Sequence, residues 1–75
     1  MELHKILVHT RNERDILEYR LIEESSKFRI LTTHTINEQP QLVNGPNVPY
    51  EDWSQAEESF NTLIDVAMRS GYTPT

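Results

Sequence analysis

The sequence contains no cysteine, so a disulfide framework, a thiolate metal site and a thiol nucleophile are all excluded. It also contains only two glycines, Gly45 and Gly71, which excludes the common glycine-rich phosphate-binding loops. A chain of 75 residues buries only about 60% of the surface that its unfolded form exposes, so we expect one domain of modest stability. Packing, within the chain or against a second subunit, has to supply that stability.

Long hydrophobic runs and an excess of positive charge are also missing. No apolar run exceeds three residues, as at residues 6–8, whereas a bilayer-spanning helix needs about 20. The N-terminus lacks a basic segment followed by an apolar one, so we expect a cytoplasmic protein with no membrane contact. Twelve acidic against seven basic residues give a net charge of −5, which repels phosphate backbones and disfavours a nucleic-acid partner.

Three segments in the first half of the sequence are predicted to be strands: residues 3–9, 16–23 and 27–36. Between Leu17 and Leu21, apolar and charged residues alternate with the period of a half-buried strand. The polar turn at residues 23–27 indicates that this strand and the next form a hairpin. The residues predicted to face the core from the sheet are Leu17, Tyr19, Leu21, Phe28 and Ile30.

The second strand has a helical alternative, in which residues 12–25 form a helix and the order becomes β-α-β-α. Asn12 could cap such a helix with Asp15 at its third position, and the composition of the segment favours a helix. The sequence leaves both interpretations open.

The most regular pattern lies between residues 53 and 70, where apolar residues recur at spacings of three and four and predict an amphipathic helix. Asp52 can cap this helix, while Arg69 and Gly71 provide the charge and the left-handed residue of a C-terminal stop. Its apolar side consists of Trp53, Ala56, Phe60, Leu63, Ile64 and Ala67. The predicted fold is therefore α+β, with an antiparallel sheet of about three strands covered on one face by this helix.

A proline-rich loop is predicted at residues 37–52, between the last strand and the helix. Pro40, Pro46 and Pro49, together with the Asn44-Gly45 pair, largely exclude regular structure there. Residues 41–43 remain candidates for a short edge strand. Because long loops of compact domains often carry function, this loop is the first place to look for a binding site.

The sequence shows no constellation of residues that marks a reaction. The histidines are His4, His9 and His34, and the first two are five residues apart on one predicted strand, hence on opposite faces. They cannot both ligate one metal ion unless that strand is bulged. No Gly-x-Ser-x-Gly nucleophile motif is present. We therefore expect no enzymatic activity, no cofactor and no metal, and interpret the histidines as solvated or edge residues.

Acidic residues recur along the helical segment. Glu51, Glu58 and Asp65 are seven residues apart, and Glu57 lies beside them. Such a stripe is usually a solvated helix face. The alternative is docking to a basic partner, including imitation of a phosphate backbone, as in small phage-type inhibitors of nucleic-acid-handling machines.

Apolar residues also occur on the sheet face that points away from the helix, where Ile22 and Leu31 are predicted to lie. A homodimer or a partner protein would cover them, unless the loop at residues 37–52 folds over that face. Tyr50 and Trp53 flank the start of the helix, where aromatic side chains either seal the core or anchor a partner. Trp53 is in phase with the apolar side, which favours the core.

The order of three strands and a terminal helix, with Ala56, Phe60 and Gly71-Tyr72 at the helix and its end, resembles the WGR domain over about residues 11–72. The resemblance implies a nucleic-acid-associated module. Thr33-His34-Thr35 stands near the place of the diagnostic Trp-Gly-Arg, and the basic character of that family is absent. No functional residue is carried over from it.

The sequence thus favours a non-catalytic, acidic protein-binding or regulatory module. The residues predicted to contact a partner are Glu51, Glu58, Asp65, Tyr50, Ile22 and Leu31. The alternative is a small nucleic-acid-binding module that uses the basic residues of the sheet, namely Lys5, Arg14, Arg20, Lys27 and Arg29.

Overall fold

The computed structural model describes residues 2–43 and 49–75, which contain five strands and one helix. In chain order they are β1 (Leu3–His9), β2 (Asn12–Glu24), β3 (Lys27–Ile36), β4 (Gln39–Leu42), α1 (Trp53–Arg69) and β5 (Tyr72–Pro74). The strands form one antiparallel sheet in the order β4-β3-β2-β1-β5, so β4 and β5 are its edges. The predicted α+β class is confirmed, with five strands in place of about three.

The three predicted strands are present, and β2 starts at Asn12, earlier than predicted. The helical alternative for residues 12–25 is wrong. Leu17 pairs with Leu7 of β1 on one side and with His34 of β3 on the other, so β2 is the centre of the sheet. Pairing with two neighbours outweighs the helix propensity of the segment, because strand preference depends mainly on its packing context.

Part of the predicted proline-rich loop is ordered as strand. Residues 39–42 form β4, close to the short strand that the sequence permits at residues 41–43. Tyr50 forms a bridge with Phe28 further along the same edge of β3. The described part of the segment therefore lies beside the sheet and does not cover its second face. The Asn44-Gly45 pair and Pro46 lie outside the described residues.

The β2–β3 and β3–β4 hairpins close through two-residue turns with left-handed backbone. Ser25 and Ser26 have φ values of 53° and 65°, and Asn37 and Glu38 have values of 51° and 69°. Positive φ at both positions is the geometry of a type I′ turn, whose twist matches that of the flanking strands. Since none of the four residues is glycine, both turns carry backbone strain.

Helix α1 packs across one face of the sheet and buries its apolar side there. The core comprises Leu7, Tyr19 and Leu21 from the sheet and Ala56, Phe60 and Ala67 from the helix. Around it pack Leu3, Leu17, Phe28, Ile30, Tyr50, Trp53, Ile64 and Tyr72. This confirms the predicted core except at Leu63, which is 37% exposed at the rim.

The ends of α1 follow the predicted signals. The side chain of Asp52 accepts a hydrogen bond of 3.3 Å from the backbone N–H of Ser54, and Arg69 lies in the last turn. Gly71 follows with φ of 101°, and a Cβ atom there would lie 3.0 Å from Nε2 of His9. Glycine therefore permits both the reversal of the chain and its close approach to β1. No helix in the described residues has the length and apolar content required to cross a membrane.

Both edges of the sheet carry a proline whose missing N–H points outward. Val43 donates to Thr32, so alternate residues of β4 face β3, and Pro40, which is out of phase with them, faces solvent. At the other edge, Thr75 donates to the carbonyl oxygen of Ile6, which leaves Pro74 on the outer side of β5. Proline at such positions blocks the pairing of a further strand.

Candidate functional site: the open face of the sheet

The sheet face opposite α1, here called the open face, carries apolar side chains that no described residue covers. Its apolar members come from four strands: Ile6, Val8, Ile16, Ile22, Leu31 and Leu42. Ile6 is 37% exposed and Leu42 is 72% exposed, while Ile16, Ile22 and Leu31 are half-buried by their neighbours on the same face. Thr33 and Thr35 complete the β-branched surface. The predicted positions of Ile22 and Leu31 on this face are confirmed.

Charged residues alternate with these apolar ones. His4 and Glu18 lie side by side, with 2.5 Å between the imidazole Nε2 and the carboxylate Oε2. Arg29 donates from Nη1 to Glu24 over 3.2 Å. Arg20 lies between His4 and Leu31 in the centre of the face, exposed, and forms no ion pair within the described residues. The face is therefore mixed, with apolar and charged residues of both signs.

The acidic residues predicted to form a stripe are not equivalent. Glu51 precedes α1, and its carboxylate lies 3.7 Å from Nζ of Lys27. Glu58 and Asp65 both lie on the helix, and Asp65 is paired with Arg69 over 3.0 Å. Two of the three carboxylates thus already have a cation beside them.

Tyr50, the remaining predicted contact residue, is half-buried against the core. It pairs with Phe28 through two backbone hydrogen bonds of 2.7 and 2.8 Å. Together with Glu58, Thr62 and Leu63 it lines a groove of about 340 Å³ beside the helix. In the structure, Tyr50 therefore packs against the core and seals its edge.

The five basic residues of the nucleic-acid alternative do not share one surface. Lys5 pairs with Tyr19 and therefore lies on the helix side of the sheet, whereas Arg20 and Arg29 lie on the open face. Lys27 and Arg29 each have an acidic partner, as described above. Among the residues that the structure describes, this arrangement forms no continuous basic patch for a phosphate backbone.

One polar cluster escaped the sequence analysis: Asp15, His34 and Tyr72, which lie on the helix side of the sheet beyond the end of α1. The carboxylate oxygen Oδ1 of Asp15 lies 2.6 Å from Nε2 of His34 and accepts a hydrogen bond of 2.8 Å from the hydroxyl of Tyr72. The ring of His9 packs edge-on against that of Tyr72, with 5.0 Å between centroids. The sequence indicated a solvated or edge histidine at His34, whereas the structure places it in an inner strand, with 30% of its side chain exposed and with Asp15 as its partner.

This cluster shifts the titration of two of its members. Partial burial opposes ionisation of Asp15, but the hydrogen bonds from His34 and Tyr72 and the charges of His34 and His9 outweigh it, so the pKa of the carboxyl lies below its ordinary value. Burial, the hydrogen bond to Asp15 and the charge of Asp15 raise the pKa of Tyr72 to about 12. The ionised carboxylate with a neutral phenol is thus the stable state across the physiological range.

The geometry of the cluster assigns it a structural task. Asp15 belongs to β2, His34 to β3 and Tyr72 to β5, so one carboxylate joins a central pair of strands to the edge strand. Asp15 already accepts from both partners, and across residues 2–43 and 49–75 no group of three metal-ligating side chains is present. The pairing of His34 with Asp15 depends on strand register, which residue spacing alone does not reveal.

Comparison of the chain with protein-family models, with curated proteins and with solved structures gave no match. A functional conclusion therefore has to rest on the residues of the open face themselves.

Proposed function

We propose that this chain is a non-catalytic protein-binding module that contacts its partner through the open face of the sheet. The observation that carries the proposal is the apolar surface opposite α1, in which Ile6 and Leu42 remain exposed and Ile16, Ile22 and Leu31 lie between them. Apolar side chains left exposed across one face of a small protein commonly mark a contact, also where charged residues lie among them.

The edges of the sheet support the same conclusion. Pro40 and Pro74 remove outward N–H groups from the two edge strands, so recognition by addition of a strand is disfavoured on both sides. A partner that engages the sheet has to approach its face. Because that face alternates apolar and charged groups, the partner should present complementary charges beside an apolar patch.

The acidic residues Glu51, Glu58 and Asp65 provide a separate hypothesis, in which the module inhibits a nucleic-acid-handling complex through a basic surface of that complex. The net charge of −5 favours a basic partner at long range. The two mechanisms use different surfaces, and so variants can separate them.

The test is capture of partners by the tagged full-length chain from the cells that express it, quantified by mass spectrometry. Ile22→Glu and Leu31→Glu place a charge on the open face, and Val66→Glu places the same charge on the helix, where Val66 is already 52% exposed. We expect the open-face variants to lose the partner and Val66→Glu to keep it.

Equal capture by all of these folded variants would overturn the proposal. Reversal of Glu51, Glu58 and Asp65 to lysine tests the inhibitor hypothesis in the same experiment. If that variant captures the partner as the wild type does, the acidic residues play no part in recognition.

A further inference from the structure

The open-face side chains along β2 have a symmetric order. If the strand is reversed and the sign of every charge is changed, the order of side-chain types stays the same. On the open face, alternate residues of this strand are Ile16, Glu18, Arg20, Ile22 and Glu24. The same alternation along β2 continues to Arg14, next to the shift in register between β1 and β2. Turning the strand end for end places acid against base and isoleucine against isoleucine at every position. A surface with this property complements a copy of itself under a two-fold rotation.

We propose that the occupant of the open face is a second copy of this chain, packed face to face so that the two β2 strands cross in opposite directions at Tyr19. In this arrangement Arg20 of one copy faces Glu18 of the other, twice. Ile16 faces Ile22, and Arg14 faces Glu24. The inference rests on the proposed function and names its partner.

The direction of the two-fold axis follows from the same residues. An axis perpendicular to the strands produces the pairs described above. An axis along the strands would instead place Arg20 against Arg20 and Glu18 against Glu18, and like charges opposed in an interface are strongly unfavourable. Sheets that pack face to face keep their strand directions within about 30° of each other, so antiparallel β2 strands fit the general geometry of such interfaces.

The charged groups of a single chain leave this pairing available. Within the described residues, neither Arg14 nor Arg20 forms an ion pair, and both are exposed. Glu18 contacts His4, and Glu24 contacts Arg29, but each carboxylate has two oxygen atoms and so can accept from a second cation. Three arginines form no ion pair within the described residues, and the rotation places two of them, Arg14 and Arg20, opposite glutamates. The third, Arg11, lies in the turn between β1 and β2.

The size of the face limits how tight the dimer can be. With about 16 Å² of sheet plane per strand residue, the five strands offer an area on the order of 600 Å². Two such faces bury about 1,200 Å², which is the lower end of the range for specific interfaces. We therefore expect a dimer that dissociates on dilution within the micromolar range.

The test is the solution mass of charge-swapped chains, measured by sedimentation equilibrium from micromolar to near-millimolar concentration. Arg20→Glu places a second carboxylate opposite Glu18 of the other copy, and Glu18→Arg places two guanidinium groups together. We expect each variant alone to weaken dimerisation by about 100-fold or more. An equimolar mixture of the two variants restores every pair, and its mass should return to twice the 8.8 kDa of one chain.

One control variant and one replacement pair of variants make this outcome specific. Arg69→Glu changes the net charge as Arg20→Glu does, but on the far side of the helix, and should leave the wild-type dimer intact. If Glu18→Arg fails to fold after losing its contact with His4, the pair Arg14→Glu and Glu24→Arg repeats the test at the ends of the interface.

The outcomes separate the dimer from the proposed function. A wild-type chain that stays monomeric throughout the concentration range, or single variants whose mixture does not associate, would overturn the dimer. In that case the loss of a captured partner by Ile22→Glu would still support binding through the open face. A wild-type dimer that none of the open-face substitutions affects would also overturn the inferred dimer, and the proposed function would then stand or fall by the capture experiment.

Discussion

Leu21 and Ile22 are neighbours in β2, yet their surroundings differ completely. Leu21 lies under α1 with no exposed surface, whereas Ile22 lies on the open face beside Arg29 and Arg20. The two faces of the sheet therefore differ in what they contribute. The covered face forms the core that stabilises the fold, and the open face leaves apolar side chains partly exposed after folding.

The covered face gains its stability from a few large contacts. Leu7 and Leu21 are fully buried beneath Phe60 and the small residues Ala56 and Ala67, which let the helix approach closely. Phe28 and Trp53 extend this core with rings packed edge-on at 5.4 Å. The open face has no comparable layer above it in the described residues.

The largest contrast should appear when each of the two neighbouring side chains of β2 is shortened. Leu21→Ala leaves a cavity in the core and should lower the free energy of unfolding by about 2–5 kcal/mol. Ile22→Ala removes a half-exposed side chain and should cost less than about 1 kcal/mol at concentrations where the chain is monomeric. Urea unfolding of both variants at low micromolar concentration measures the difference, and equal losses would contradict the division between the faces.

A smaller effect is expected at Gly71, which joins α1 to β5 on the covered side. Gly71→Ala would place a Cβ atom 3.0 Å from His9 at a φ of 101° and should destabilise the fold by about 1–3 kcal/mol. Thermal unfolding measures this loss. Ser70→Ala, one residue earlier at the helix cap, is the matched control, because Ser70 has an ordinary φ of −88°.

The polar cluster at the end of the covered face should make stability depend on pH in two separate ranges. The lowered pKa of Asp15 contributes stability that is present above its ordinary pKa of 3.8 and is lost as pH falls through the lowered value. The raised pKa of Tyr72 contributes stability that is complete below pH 10 and is lost as pH rises towards about 12.

Tyr72→Phe removes the hydrogen bond to Asp15 and should cost about 1 kcal/mol at neutral pH. It should also reduce the alkaline loss of stability, and the part that remains belongs to Tyr19, whose pKa burial also raises. Thermal melts at pH values from about 3 to about 11 test this, because they reach past the ordinary pKa of each group and cover the onset of both losses. Tyr50→Phe is the control. An unchanged alkaline slope in Tyr72→Phe would contradict the role of the cluster.

The smallest effect should be a gain. Replacing Ser25-Ser26 by Asn-Gly relieves the positive φ values of 53° and 65° and should stabilise the chain by about 1 kcal/mol. The turn touches neither face at its centre, so this variant should raise stability without altering association. If the dissociation constant of the variant dimer differed from that of the wild-type dimer, the turn would belong to the interface.

The sequence predicted the parts of this fold that repeat a simple pattern. Alternation around Tyr19 placed β2 and its buried side, and the three- and four-residue spacing around Phe60 placed α1. Of the edge strands, β4 was foreseen only in part, as a short strand at residues 41–43, because it contains Pro40, and β5 was not foreseen because it is only three residues long. Their pairing partners define both strands more than their composition does.

The candidate site, too, was predictable only where a simple pattern repeats along the chain. Alternation placed Ile22 and Leu31 on the open face, but the contact of His34 with Asp15 arises from register across β2 and β3, which no local pattern encodes. The reversed order of charge along β2 is visible in the sequence only once the residues between Arg14 and Glu24 are known to form one strand.

The melting temperature of the wild type and of Ile22→Glu, followed over a wide range of protein concentration, tests the central claim most directly. If the open face binds a second copy and is not needed for folding, the wild-type melting temperature rises with concentration. That of Ile22→Glu should then stay constant at the value of the dilute wild type. A variant that melts far below the dilute wild type, with no concentration dependence in either protein, would show that the open face is part of the folded core and would contradict the account.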